Sequence, residues 1–311
     1  MRGALQRGLT GLLIRCGASA AGLSLLLISC QSIAQVGTSI GVATGQINES
    51  QAQSINESAA AVERSYQDFT PEQEYYLGRT VAAIILQKYK PYDDPKANYY
   101  INELGQSLAM ASVRPETFSG YHFLIVDSND INALSAPSGF IFVTRGLLRC
   151  AQDEDELAAI LAHEITHVAL KHGLQAIKKS RVTSALSSVA LTGAMLAGSP
   201  EVQQLTQTFG ESVKDITSTL INNGYSRQFE EQADAGAVKI LERVGYDPWA
   251  LVDVLKVMET RLKPGGLDFA KTHPAPEVRI KAVEKVLGDW PNVPSSNQTR
   301  EQRFEAALAG V

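Results

Sequence analysis

Leu157–Gly173 reads LAAILAHEITHVALKHG, and the fold follows from it. Residues on an α-helix turn by about 100° each, so His163 and His167, four apart, stand one turn above the other on one face. Two imidazoles so placed can hold one metal ion, and Glu164 beside them can reach a water at an open position of that ion. The acidic run Asp153–Glu156 suits the positive end of a helix. Lys171, His172 and Gly173 predict a cationic last turn closed by a glycine. Residues 157–170 are otherwise nearly all Ala, Leu, Ile, Val and Thr, which predicts burial on every face. Buried polar side chains need partners, and a metal supplies them; satisfied core histidines are the alternative.

A catalytic zinc takes three protein ligands and keeps one place open for water. His172 lies nine residues after His163, which on a continuous helix turns it about 180° away, so the third ligand must come from elsewhere. Glu230 and Asp234 are four apart on one helical face, with Ala233 and Ala237 completing a stripe of small residues that lets two helices approach closely. On that reading Glu230 is the third ligand, and Asp234 accepts a hydrogen bond from a ligand histidine and fixes its tautomer. A solvated acidic face is the competing reading. Glu231, the nearest rival, points about 100° away from Glu230.

Three ordered motifs carry a resemblance over about residues 68–285: His163-Glu164-x-x-His167 with His172-Gly173, Ser226-Arg227-x-x-Glu230-x-x-Ala233-Asp234, and Thr272-His273-Pro274 with Arg279-Ile280. Together they resemble the zinc metallopeptidase family of HtpX, the CAAX prenyl proteases and the periplasmic proteases BepA and LoiP. The resemblance implies a gluzincin fold with one zinc ion on His163, His167 and Glu230, Glu164 as catalytic base and Asp234 behind the histidines. It also implies that His273 can approach the zinc and plug the site, giving a latent state. Tyr225, Arg227 and His273, near these motifs, are candidates for stabilising the transition state. No tetratricopeptide repeats like those of BepA and no clear transmembrane helices like those of HtpX are read in these residues, so the expectation is the compact lipoprotein type.

The ends read differently from the centre. Arg2, Arg7 and Arg15 precede an apolar run from Ala18 to Ile28, with no acid before Glu49, so residues 1–34 read as an export signal. Leu27-Ile28-Ser29-Cys30 resembles a lipobox that would make Cys30 the lipidated first residue, and Ser32-Ile33-Ala34 offers ordinary cleavage before Gln35. The lipobox is preferred, because a cysteine directly after the apolar run has no other evident purpose. Either site predicts a periplasmic protein, and the first an outer-membrane anchor. Residues 35–67 are rich in small and polar residues, repeat Ile-Asn-Glu-Ser at 47–50 and 55–58, and read as a flexible tether. Residues 68–290 form the peptidase domain and 291–311 a polar tail, helical at its very end. Cys150 is the one cysteine left in the mature domain, so no internal disulfide forms there.

Within the domain, Thr70-Pro71-Glu72-Gln73 opens a helix to about Tyr89, and another runs from Pro95 to Met110. Tyr121–Val126 and Phe140–Val143 are short strands, with residues 132–136 leading into a Pro137-Ser138-Gly139 turn. Helices follow at 181–197, to about 222, at 226–244, 248–262 and 276–287. The fold class is therefore α+β, a mainly helical zincin-like domain with a small sheet beside the metal helix. A free sheet edge there could bind an extended peptide. The net charge of −5 becomes −8 once the three signal arginines are gone, and leaves no basic stripe for nucleic acid. No P-loop or dinucleotide fingerprint appears, so nucleotide chemistry is not expected. The sequence thus predicts a metalloendopeptidase acting on unfolded or misfolded envelope proteins. Two alternatives are a chaperone-like binding protein with a structural or plugged zinc and a zinc amidase acting on cell-wall peptides.

Overall fold

The structure is a computed structural model that describes residues 30–53, 55–57, 69–176, 224–261, 273–291 and 297–311. The cleavage motif before Cys30, the helices expected between 181 and 222, and Thr272 lie outside the described residues. The chain divides into two compact units, Met1–Gln67 with Val182–Leu205 and Asp68–Arg181 with Thr206–Val311. In the first, helix α1 (Cys30–Ala43) occupies part of the stretch that reads as a tether. The polar residues behind that reading act as local bonding groups: Thr38 Oγ1 donates to Asn56 at 3.1 Å, and Asn48 and Gln51 cap one another reciprocally.

The second unit opens with α2 (Pro71–Lys88), where Thr70 and Gln73 form the capping box that the sequence predicts. Gly78 brings this helix onto the turn at Pro137, since a Cβ there would stand 2.0 Å from the Pro137 carbonyl oxygen. Helix α3 (Pro95–Met110) is capped by Asp94. Three strands follow: β1 (His122–Val126), β2 (Ala133–Ala136) and β3 (Phe140–Thr144). The lead-in to the Pro-Ser-Gly turn is thus itself a strand, antiparallel to β3, while β1 joins β3 in parallel and the sheet order is β1-β3-β2. Ser138 takes φ 63 at the turn between β2 and β3.

A short α4 (Arg145–Leu148) leads to α5 (Glu154–Ala169), the helix of the opening motif, capped by Asp153. Leu157, Leu161 and Ile165 are fully buried in a core shared with Ile101 and Leu108 of α3 and Ile141 of β3. The predicted extent to Gly173 is too long. The helix stops at Ala169, and Lys171 rather than Gly173 takes the left-handed conformation, at φ 58. Helix α6 (Arg227–Val244) starts at the Ser226 cap and ends on Gly245 at φ 83. It lies close along α5 because Gly236 has no side chain: a Cβ would meet Thr166 Cγ2 at 2.3 Å.

Helices α7 (Ala250–Arg261) and α8 (Pro276–Leu287) complete this layer. The final segment, expected as a polar tail, carries α9 (Gln298–Leu308), and Phe304 and Leu308 pack against the core. Its arginines are spent on the start of α5, Arg303 on Glu154 and Arg300 on Asp155. Among the described residues no helix is long and apolar enough to cross a membrane.

Candidate metal centre and active site

His163 and His167 lie on one face of α5 with their Nε2 atoms 3.1 Å apart. Across from them Glu230 of α6 places Oε2 3.5 Å from His163 Nε2 and Oε1 3.5 Å from His167 Nε2. Two helices that meet at Gly236 and Thr166 therefore deliver the three groups to one point. Both Glu230 oxygens are buried without a hydrogen-bond partner. A buried carboxylate left so is costly, and a cation between it and two imidazole nitrogens removes that cost. Two nitrogens and one carboxylate oxygen are also a donor set that zinc accepts. The residues present fit the metal.

The remaining ring nitrogens are held by partners that settle the tautomers. Asp234, one turn after Glu230, has Oδ1 2.9 Å from His163 Nδ1. His163 then donates from Nδ1 and turns its Nε2 lone pair inward. Arg279 of α8 clasps Asp234 through Nε at 3.1 Å and Nη2 at 2.5 Å. Burial alone would raise the Asp234 carboxyl; Arg279 and His163 outweigh it and hold it down to about 2. Burial and Arg279 disfavour a proton on His163, yet its bond to Asp234 and the nearby Glu230 carboxylate carry it up to about 9. The surroundings of that ring thus favour positive charge. His167 is kept neutral by burial and by the neighbouring histidines.

His172 corrects the reading that turned it away from the site. Because α5 ends at Ala169 and Lys171 reverses the chain, His172 comes back with Nδ1 2.9 Å from His167 Nδ1. Its Nε2 lies 3.1 Å from Gln232 Oε1, and its ring stacks on Phe229. Burial lowers its pKa to about 4, so it stays neutral and can accept a proton bond from His167. It is a partner of a candidate ligand rather than a ligand. Helical geometry could not reveal this, since the geometry applies only while the helix continues.

Glu164 is buried, and that burial, with Glu230 nearby and His163 opposing, raises it to about 7. A carboxyl at that value exchanges protons readily near neutral pH. His273, just before α8, has Nε2 3.8 Å from Glu164 Oε1 and 3.8 Å from Glu230 Oε1. His163, His167, Glu230 and His273 form one group whose ligand atoms all lie within 4.8 Å of one another. Tyr225 stacks on the His167 ring at 4.2 Å between centroids and donates from its hydroxyl to the Ser135 carbonyl at 3.1 Å.

Arg227 does not join this group. Its side chain is 71% exposed and pairs with Glu231 one turn on, so its position at the start of α6 points it into solvent. Arg279 entered the sequence reading only as part of a motif, because no helical spacing links α8 to α6. Cys150 is buried in the core and raised in pKa by that burial, in keeping with a small packing residue.

The profile of Peptidase family M48 matches residues 95–287, a span that carries all of these side chains. The beta-barrel assembly-enhancing protease of Escherichia coli strain K12 is 29% identical over 194 residues, covering 60% of this chain and 38% of that protein. A putative beta-barrel assembly-enhancing protease of Vibrio cholerae is 29% identical over 228 residues, 71% of this chain and 46% of its own. The mitochondrial metalloendopeptidase OMA1 of Schizosaccharomyces pombe is 31% identical over 162 residues, 50% of this chain and 43% of its own. The chain therefore spans less than half the length of these curated relatives.

Proposed function

This chain belongs to peptidase family M48, and we propose that it is an exported zinc-dependent metalloendopeptidase that cleaves unfolded or misfolded envelope proteins. The observation that carries the reading is the pair of buried Glu230 oxygens, without hydrogen bonds and facing two imidazole Nε2 atoms. His163, His167 and Glu230 hold the zinc. The chemistry it supplies there is Lewis acidity toward a carbonyl and a water. Glu164 takes the proton of the attacking water and returns it to the leaving amine nitrogen, so the peptide C–N bond breaks as the new C–O bond forms. Asp234 and Arg279 keep His163 oriented, and His172 with Gln232 does the same for His167.

His273 stands between the catalytic base and the third ligand, where substrate has to enter, and the resting protein is latent on this reading. Export to the periplasm with lipidation at Cys30 in the outer membrane fits the amino-terminal sequence. A role in protein quality control fits relatives named as an assembly-enhancing protease and a metalloendopeptidase. The closed site also favours a second reading, a binding protein whose zinc is plugged. Zinc content and casein cleavage of the wild type, Glu164→Gln and Glu230→Gln separate the two. Glu164→Gln should keep zinc and lose cleavage by at least about 10³-fold, and Glu230→Gln should lose both. Cleavage that survives Glu164→Gln would sink the peptidase mechanism.

A further inference from the structure

The sheet has two outer edges, and they are finished differently. On β1, Phe123 donates its N–H to Asn102 Oδ1 at 3.0 Å and accepts from Asn102 Nδ2 at 2.7 Å. Ile125 donates to Asn98 Oδ1 at 2.9 Å and accepts from the Tyr92 N–H at 2.8 Å. Two asparagines of α3 thus imitate a neighbouring strand and close that edge. On β2 the Asn132 carbonyl accepts from the Thr144 N–H, so residues 132, 134 and 136 turn their backbone groups toward β3. Ala133 and Ser135 turn theirs outward. Among the described residues, those outward groups carry one hydrogen bond, from the Tyr225 hydroxyl to the Ser135 carbonyl.

That bond lies at the metal centre. The same tyrosine ring covers His167, and Ser135, His167, Tyr225, Lys171 and Gly173 line one cleft. Gly173 leaves room for the hydroxyl, since a Cβ there would come within 3.3 Å of it. Gly224, immediately before Tyr225, takes φ 68, a conformation that glycine adopts without strain. The hydroxyl offers the Ser135 carbonyl one donor, at the place where an added strand would offer a backbone N–H.

We propose that the Ser135 carbonyl is the anchor for a backbone N–H of the bound peptide, and that the Tyr225 hydroxyl is its placeholder in the free protein. The inference rests on the peptidase reading above. Peptide binding exchanges one donor for another on the same oxygen, so the Ser135 carbonyl is paired in the free protein as well as in the complex. The substrate is read through its main chain at this point, and any extended segment meets the requirement. Proline at the anchored position does not, because it has no N–H.

The test uses the full chain carrying Glu164→Gln, with and without Tyr225→Phe, and a fluorescein-labelled extended peptide of about ten residues, enough for one strand. Phenylalanine keeps the ring on His167 and removes the donor. Binding followed by fluorescence anisotropy should tighten about five-fold, the factor that one ordinary hydrogen bond represents. Methylating the peptide nitrogens one at a time should reveal a single position where the loss is about five-fold greater in Tyr225→Phe than in its parent. Gly173→Ala, which crowds the hydroxyl and leaves the ring alone, should tighten binding in the same direction. Unchanged or weaker binding in both variants overturns the proposal, as does equal loss in both proteins at every methylated position. A fall in kcat at constant KM when Tyr225→Phe is made in the active enzyme also overturns it, in favour of a role in the transition state. Tightened binding without cleavage by the zinc-loaded wild type leaves the placeholder standing and removes the peptidase reading. Absence of peptide binding in every form removes both.

Discussion

Glu154 and Glu230 are each 1% exposed, and they could hardly be treated more differently. Glu154, at the start of α5, receives the Tyr246 hydroxyl at 2.7 Å, the Tyr100 hydroxyl at 2.9 Å and both arms of the Arg303 guanidinium. Burial works against its charge, but these donors hold its pKa below the usual carboxylate range. Glu230, opposite the later turns of α5, has no hydrogen bond on either oxygen. Burial is therefore no mark of a site by itself. The mark is a buried charge whose bonding capacity is left open toward other groups left open in the same way.

The largest effect expected from this contrast is on stability in the absence of metal. Glu154→Gln removes the charge that Arg303 and two hydroxyls were arranged to meet, and should cost about 2 kcal/mol. Glu230→Gln removes a buried charge that lacks hydrogen bonds, and should leave the metal-free protein unchanged or stabilise it by about 1 kcal/mol. Urea unfolding of the chelator-treated proteins measures both. Equal losses at the two positions would break the comparison, because Glu230 would then be a structural acid like Glu154.

The contrast was only half legible in the sequence. His163, Glu164 and His167 are fixed by one local rule, the pitch of a helix, and the structure places them as that rule requires. The stripe of Glu230, Ala233, Asp234 and Ala237 was readable for the same reason, and Gly236 does the closest packing against Thr166. Glu154 looked like an ordinary acid at a helix start, since its partners Tyr100, Tyr246 and Arg303 come from three distant segments. The docking of α9 is hidden from the sequence for the same reason: its apolar contribution is small, Phe304, Ala307 and Leu308, and its hold on α5 is ionic. His172 was misplaced because the end of α5 is set by Lys171, a residue type that gives no signal for a left-handed turn.

A smaller effect is expected at the open end, where His273 fills the space between Glu164 and Glu230. On the latent reading this contact is broken before substrate enters, so His273→Ala should raise kcat/KM on casein about five- to ten-fold, equivalent to about 1–1.4 kcal/mol. Zinc content measured alongside should stay at the wild-type level, since His163, His167 and Glu230 remain. Activity that is unchanged or lower, with zinc retained, would show that His273 supports catalysis instead of blocking it. The open end would then be a complete site at rest, which alters what the comparison with Glu154 means.

The smallest expected effect concerns Glu156, which, like the Asp153 cap, meets a backbone N–H and no guanidinium. Glu156 accepts from the Gln152 N–H at 2.8 Å. Burial raises its carboxyl to about 7, with Asp153 and Asp253 pushing the same way and Gln152 and Arg261 opposing. A carboxyl that is raised on folding holds its proton in the native state while the unfolded chain has already released it. Native protein then binds more protons than unfolded protein from about pH 4.5 to about 7, so this group's contribution to stability falls as pH rises through that window. Glu156→Gln keeps an oxygen for the Gln152 N–H and removes the ionisation. It should add about 1 kcal/mol at pH 8 and nothing at pH 4.5, read from urea unfolding at the two values. An equal change at both pH values would assign the effect to packing. A loss at pH 8 would mean that the Glu156 charge is matched as fully as that of Glu154.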